Sequence, residues 1–257
     1  FNNLVRYSQP ASDVKTLFIW PEGVFSGYSY EDIIFLKESF SKYFSNNHFI
    51  IFGVNRYDKK KDGFYNSLLV VNNNLEIISE YKKQKLVPFG EFIPFEKQLR
   101  RFGLKKITEG YGSFLKGDNQ KNLVFEELNI LPLICYEAIF TEFIQRSDKE
   151  TNLIINISED GWFGESIGPY QHFVKGIFRS IEKNSYFIRS ANKGVSLIVN
   201  NKGELIKKLN PTEKGTISLE VPLIKNTSKV RNDLIFFVLL ITYIFIFNIY
   251  KKKINEK

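Results

Sequence analysis

The chain has no methionine, one cysteine and two histidines among its 257 residues. A single thiol excludes an internal disulfide framework. Cys135 with His48 and His172 also falls short of the four-ligand set of a structural zinc site, so no metal and no cofactor is expected. With no methionine even at position 1, the sequence is expected to be a piece or a processed product, and no signal peptide can be read near its start. Acidic residues are the minority, 28 against 36 Lys and Arg, for a net charge of +8, of which residues 251–257 supply +3. The remaining excess is diffuse and no RNA or DNA motif accompanies it, so nucleic acid is not an expected partner. Attraction to anionic lipid and an ordinary solvated surface are the readings left.

What is abundant is apolar and aromatic: 43% hydrophobic residues, 16% of the chain aromatic, enough for one large core. Short runs rich in Val, Ile and Phe predict strands at 16–20, 49–55, 67–71, 131–134, 153–157, 187–190 and 195–199. Apolar residues recurring three and four apart predict helices at 30–44, 139–147 and 170–183. Two strand pairs read as hairpins, one turning through Asn72, Asn73 and Asn74 and one through residues 200–203, since Asn and Gly tolerate positive φ. The pattern is α/β with mixed sheets.

From 234 to 250 the chain reads LIFFVLLITYIFIFNIY without a charge, about 25 Å as a helix. A helix packed on a globular domain keeps a polar stripe, and this segment is apolar on every face, so a membrane span is favoured. Lys251, Lys252 and Lys253 suggest a cytoplasmic C-terminus, although Lys225, Lys229 and Arg231 on the other flank weaken the asymmetry.

Cys135 follows the run ILPLI, where a buried strand ends, a place at which α/β folds expose reactive groups. The competing reading is an inert core cysteine. A nucleophilic Cys needs a base or a cation beside it. His48 and His172 read as surface or packing residues, which leaves carboxylate and Lys. Glu22 follows a strand just where Pro21 stops ladder pairing, and could equally be a solvated loop residue. Lys82, Lys83 and Lys85 read alone as a charge run on a wet surface.

Four ordered motifs, WPEG at 20–23, YKKQKLVPFGEFIPFE at 81–96, ICYEAIF at 134–140 and NISEDGWFGESIGPYQH at 156–172, resemble the apolipoprotein N-acyltransferase family. That family belongs to the nitrilase superfamily, so the resemblance implies an α-β-β-α sandwich with mixed sheets and, here, one C-terminal transmembrane helix. By motif position it places a Glu-Lys-Cys triad on Glu22, Lys83 and Cys135, the Tyr-x-Lys spacing from Tyr81 selecting Lys83. It adds supporting carboxylates at Glu91 and Glu137, and a substrate or lid role for Trp162, Phe163 and Tyr136, with core packing as the alternative for Trp162 and Phe163. The family shows Asn-Asp where this chain has Glu159 and Asp160.

The implied activity is acyl transfer through a Cys135 thioester, from a phospholipid donor to the N-terminal amine of a diacylglyceryl-cysteine apolipoprotein. The implied location is a bacterial inner membrane, with the catalytic domain facing the periplasm. A membrane-anchored amidase using the same triad is the runner-up. The implied organisation is a lead-in at 1–15, lacking the family's preceding membrane helices and first strand, a catalytic domain at 16–224, a linker at 225–233, a membrane helix at 234–250 and a basic tail at 251–257.

Overall fold

The computed structural model describes residues 1–95, 113–224 and 232–255. The linker expected at 225–233 falls almost wholly outside the described residues, as do Glu96 and the last two residues of the tail. Two units, Phe1–Asn226 and Thr227–Lys257, are described separately.

In the first unit, β1 (Thr16–Ile19), β2 (His48–Asp58), β3 (Gly63–Val71) and β4 (Ile77–Lys82) form one sheet in that order. β1 and β2 are parallel and the rest antiparallel. The second sheet runs β10 (Leu205–Leu209), β9 (Ser196–Val199), β8 (Tyr186–Asn192), β7 (Leu153–Glu159), β6 (Leu128–Ile134) and β5 (Leu123–Phe125). Its central β6, β7 and β8 are parallel and its flanking pairs antiparallel. Both sheets are mixed, as the hairpin signals predict.

Alternation along the strands decides the layers, because successive side chains leave a strand on opposite faces. Ile51, Leu68, Val70 and Tyr81 of the first sheet meet Ile130, Ile134, Leu153, Ile155 and Ile157 of the second in one buried cluster. Their neighbours Ile50, Phe52, Leu69 and Val71 point the other way, onto Ile33 and Phe40 of α2 (Tyr30–Ile33) and α3 (Lys37–Tyr43). Leu131, Leu133, Ile154 and Phe187 likewise meet Phe143 and Ile177 of α4 (Thr141–Arg146) and α5 (Gly168–Lys183). The result is α-β-β-α. Each fully buried Ile, Leu or Phe contributes roughly 1.5–3 kcal/mol, and Ile51→Asp would place a charge where no partner can reach it.

Three sequence expectations change. The helix predicted over 30–44 is broken: Ser29 caps α2 through a capping box with Asp32, a 3₁₀ turn occupies Ile34–Leu36, and α3 follows. The successive Ile33, Ile34 and Phe35 are poor helix formers and explain the break. The helix predicted from 139 begins at Thr141, because Ile139 closes the 3₁₀ turn Cys135–Ile139. In the β3–β4 hairpin the positive φ falls on Leu75, not on an Asn. Leu75 is anchored in the core, while the Asn72 side chain accepts hydrogen bonds from the N–H groups of Asn74 and Glu76. The residues expected as a lead-in carry α1 (Asn2–Ser8), and Phe1 packs 5.0 Å from the Phe40 ring.

The second unit holds α6 (Asn232–Asn255), about 36 Å long. Its stretch Leu234–Lys252 has a mean hydropathy of 2.1 and is long and apolar enough to cross a membrane.

Candidate active site

Four chain segments end at the same edge of the sandwich. Glu22 lies just past β1, Lys83 just past β4, Cys135 just past β6, and Ser158 and Glu159 close β7. Gly53 on β2 lets the first of these come close, since a Cβ there would sit 2.9 Å from the Glu22 Cα. Gly117 does the same for Lys83: its N–H donates to the Lys83 carbonyl at 2.8 Å, and a side chain there would overlap the Lys82 carbonyl.

Lys83 Nζ stands 3.7 Å from Glu22 Oε1 and 2.8 Å from Glu91 Oε1, and is 1% exposed. Burial works against its charge, but the two carboxylates outweigh it and hold its pKa above the ordinary lysine range. Lys83 is therefore a fixed cation and not a base. Asn66, on β3, donates its amide hydrogens to Glu22 Oε1 at 2.7 Å and Glu91 Oε1 at 2.9 Å, so one side chain sets the spacing of both acids. Glu22 Oε2 accepts the backbone N–H of Glu159 at 2.9 Å, and Glu91 Oε2 accepts that of Val87 at 2.9 Å. Lys83 and these hydrogen bonds hold Glu91 below the usual carboxylate range against its burial.

Cys135 is buried and adopts φ 52°, left-handed backbone that costs a non-glycine residue about 1–3 kcal/mol. Glu137 supplies the restraint. Its carboxylate accepts the N–H groups of Ile134 (2.9 Å), Gln84 (2.7 Å) and Lys85 (2.9 Å), and the Tyr81 hydroxyl at 3.0 Å. One buried acid thus ties the residue before Cys135 to the residues after Lys83. Burial pushes Glu137 up to about 7, with the backbone donors and Lys83 acting against that rise.

The Cys135 thiol is pushed up to about 12 by burial and by the charge of Glu22, while Lys83 and a hydrogen bond with Ser158 act in the opposite direction. The resting group is therefore a thiol, and a thiolate forms only as its proton leaves for a neighbouring base. Behind it, Ser158 Oγ donates to Asp160 Oδ1 at 2.7 Å, and Asp160 pairs with Arg189 at 2.7 Å and His172 at 3.0 Å. Burial would raise Asp160, but His172 and Arg189 outweigh it and bring it to about 2. Arg189 also donates to Asn156, whose amide bonds the carbonyls of Leu133 and Cys135.

The structure brings Glu22, Lys83 and Glu91 into one ion cluster, with Cys135 within its electrostatic reach. Glu137 and Tyr136 lie beside the cluster: Tyr136 is half-buried and donates to the Leu86 carbonyl at 3.2 Å. Trp162 and Phe163 occupy the turn Gly161–Phe163, with Trp162 64% exposed and Phe163 edge-on to His172, so Trp162 is not a core residue. His48 and His172 are both buried packing residues. Glu159 folds back, accepting from Gly161 N–H and Asn192, and burial and Glu22 raise its pKa. Sequence reasoning missed Asn66, Ser158 and Arg189. Their one signal is polar residues inside runs that otherwise read as buried strands.

The carbon-nitrogen hydrolase family model matches residues 7–228. An apolipoprotein N-acyltransferase of Rhizobium leguminosarum is 39% identical over 181 residues, 68% of this chain and 34% of the relative. One of Rickettsia typhi is 38% identical over 196 residues, 74% of this chain and 38% of the relative. The chain thus spans about a third of the length of the curated relatives it matches. Among solved structures, a Helicobacter pylori carbon-nitrogen hydrolase has a TM-score of 0.58 at 16% identity, covering 83% of this chain and 77% of that one. A nitrilase-superfamily protein of Saccharomyces cerevisiae has a TM-score of 0.55 at 16% identity, with 77% and 74% covered. Both share the nitrilase-like sandwich that the resemblance implied. The match over most of its length, and the fold it shares with these structures, make the chain a member of the carbon-nitrogen hydrolase family.

Proposed function

We propose that this chain carries the catalytic domain of an apolipoprotein N-acyltransferase, with Glu22, Lys83 and Cys135 as its triad. The observation that carries the reading is the buried Lys83 held between Glu22 and Glu91 beside a thiol at a strand end, in a chain whose relatives bear that name. Glu22 takes the Cys135 proton as sulfur attacks the acyl ester of a phospholipid. Lys83 stabilises the tetrahedral oxyanion, and the same proton leaves with the lysophospholipid alcohol. The resulting thioester is then attacked by the α-amine of a diacylglyceryl-cysteine apolipoprotein. Glu22 receives a proton from that amine, an amide forms and the Cys135 thiol is restored.

Glu91 holds Lys83, Glu137 holds the backbone of both Lys83 and Cys135, and Tyr136, Trp162 and Phe163 line the approach. The domain occupies residues 16–224 on the periplasmic side of the inner membrane, α6 crosses that membrane, and the basic tail lies in the cytoplasm. The apolar helix α6 favours this over the amidase reading, because it would hold the site where substrates with two or three acyl chains reside. A membrane-held site reaches each chain without extracting it into water at about 0.8 kcal/mol per CH₂.

Mass spectrometry tests the proposal. Full chain in micelles containing phosphatidylethanolamine gains one acyl mass on Cys135, and the mass is lost when a diacylglyceryl peptide is added. An unmodified Cys135 together with ammonia release from small amides would favour the amidase instead.

A further inference from the structure

A second polar concavity lies at the same end of the first sheet, on its opposite face. It holds about 340 Å³ and is lined by Arg56, Asp58, Lys59, Lys60, Glu80 and Lys82, with Tyr57 and Tyr65. Alternation places it. Asn66 and Lys83 face the catalytic cluster, and their neighbours Tyr65 and Lys82 face away.

Four cations and two carboxylates line it, and both carboxylates are already engaged. Asp58 Oδ1 closes the hairpin turn by accepting the N–H groups of Lys60 and Lys61 at 2.9 and 3.1 Å. Glu80 accepts from Ser67 at 2.9 Å and faces Arg56 Nε at 3.5 Å. Arg56 is held in place: Nη1 donates to Glu31 at 2.6 Å and the guanidinium lies 4.8 Å over the Tyr30 ring. Its buried Nε makes no hydrogen bond. Lys82 Nζ sits 4.3 Å over the Tyr65 ring, and Lys61 Nζ donates to the Tyr65 hydroxyl at 2.7 Å. Lys59, Lys60 and Lys82 have no carboxylate within ion-pair distance among the described residues.

We infer that this concavity is a binding site for a phosphate group, carried either by free phosphate or by a lipid headgroup. One oriented guanidinium and three unpaired ammonium groups around a small polar hollow match a compact multivalent oxyanion. A nucleobase would find no free stacking face, because cations cover the Tyr65 ring and Tyr57 packs 5.0 Å from Phe64. The inference is independent of the acyl-transfer proposal, since the pocket residues lie across the sheet from Glu22, Lys83 and Cys135.

Full chain in detergent is titrated with inorganic phosphate and, separately, with soluble dihexanoyl phosphatidylglycerol by calorimetry. Binding of either with Kd below about 1 mM is expected, and the tighter titrant identifies the source. Lys59→Gln/Lys60→Gln/Lys82→Gln should weaken it at least about tenfold, and raised salt should weaken it further. Lys207→Gln/Lys208→Gln, on the far edge strand β10, removes two charges against three and should leave binding intact. A triple variant with unchanged affinity, equal loss in the β10 variant, or no binding of either titrant by wild type would overturn the inference. An unchanged melting temperature confirms that the variants are folded.

Discussion

Lys83 Nζ lies 3.7 Å from Glu22 Oε1, and this cation is what allows two half-buried carboxylates, Glu22 and Glu91, to share one donor on Asn66. Lys83→Met leaves both acids facing each other unpaired, which should cost about 3–5 kcal/mol as well as acyl-enzyme formation. Lys83→Met/Glu91→Gln removes one of the charges and should recover much of the stability but none of the turnover. Denaturant melts and intact mass separate the two effects. A double variant as unstable as the single one would mean that the acids do not repel.

The thiol offers a sharper test of Glu22. With Cys135 pushed up to about 12, little of it is thiolate at pH 8, so alkylation by iodoacetamide should be slow and should keep rising with pH. The negative charge of Glu22 is one cause of that rise, so Glu22→Gln should lower the thiol pKa and speed alkylation while abolishing acyl transfer. A variant slowed in both would show that alkylation, like acyl transfer, needs Glu22 as the base that takes the proton, and that this role outweighs its charge.

In its ionised form Glu137 accepts three backbone N–H groups and a hydroxyl, and it donates nothing. Glu137→Gln is nearly the same size but turns an NH₂ group toward donors. The loss should be about 3 kcal/mol in urea melts, accompanied by faster proton exchange at the amides of Ile134, Gln84 and Lys85. Retained protection at those amides would place the restraint on Cys135 elsewhere.

Asp160 gives a pH dependence of defined sign. Its folded pKa of about 2 lies below its ordinary value of 3.8, so its contribution is complete above about pH 4 and is lost as pH falls toward 2. The lost stabilisation is about 2 kcal/mol. Asp160→Asn should be less stable at pH 7 and lose less on acidification over that window, as followed by circular dichroism.

The α/β class and the mixed sheets were legible in the short apolar runs and hairpin turns, but the α-β-β-α layers came only through the family resemblance, because a run such as Ile50–Ile51–Phe52 is apolar on both faces. The strand after the Asn72–Asn74 turn was expected, but not its run on to Lys82. Residues 81–85 read as a wet charge run, whereas Tyr81 and Lys83 are buried and Lys82 faces out, so strand parity separates adjacent lysines that composition treats alike. Glu22, Lys83 and Cys135 were named only through ordered motifs. Asn66 was not, because a polar residue in a strand shows its purpose only when Glu22 and Glu91 arrive from elsewhere in the chain. The broken helix at 30–43 escaped for the reason that local propensity loses to periodicity in a short window.

Trp162 is 64% exposed beside a site whose proposed intermediate is a thioester, an arrangement that makes sense if the indole meets acyl chains and not the core. Trp162→Ala should therefore leave the melting temperature within about 1 °C, because little area is lost from the folded interior. The same change should shorten the lifetime of acylated Cys135 in the absence of acceptor, as water gains access to the thioester. Phe163→Ala serves as the contrast: Phe163 packs on His172, so it should lower stability as well. Timed intact-mass measurements on the isolated acyl-enzyme read the lifetime directly, and an unchanged hydrolysis rate in the Trp162 variant would remove this turn from the role of a lid.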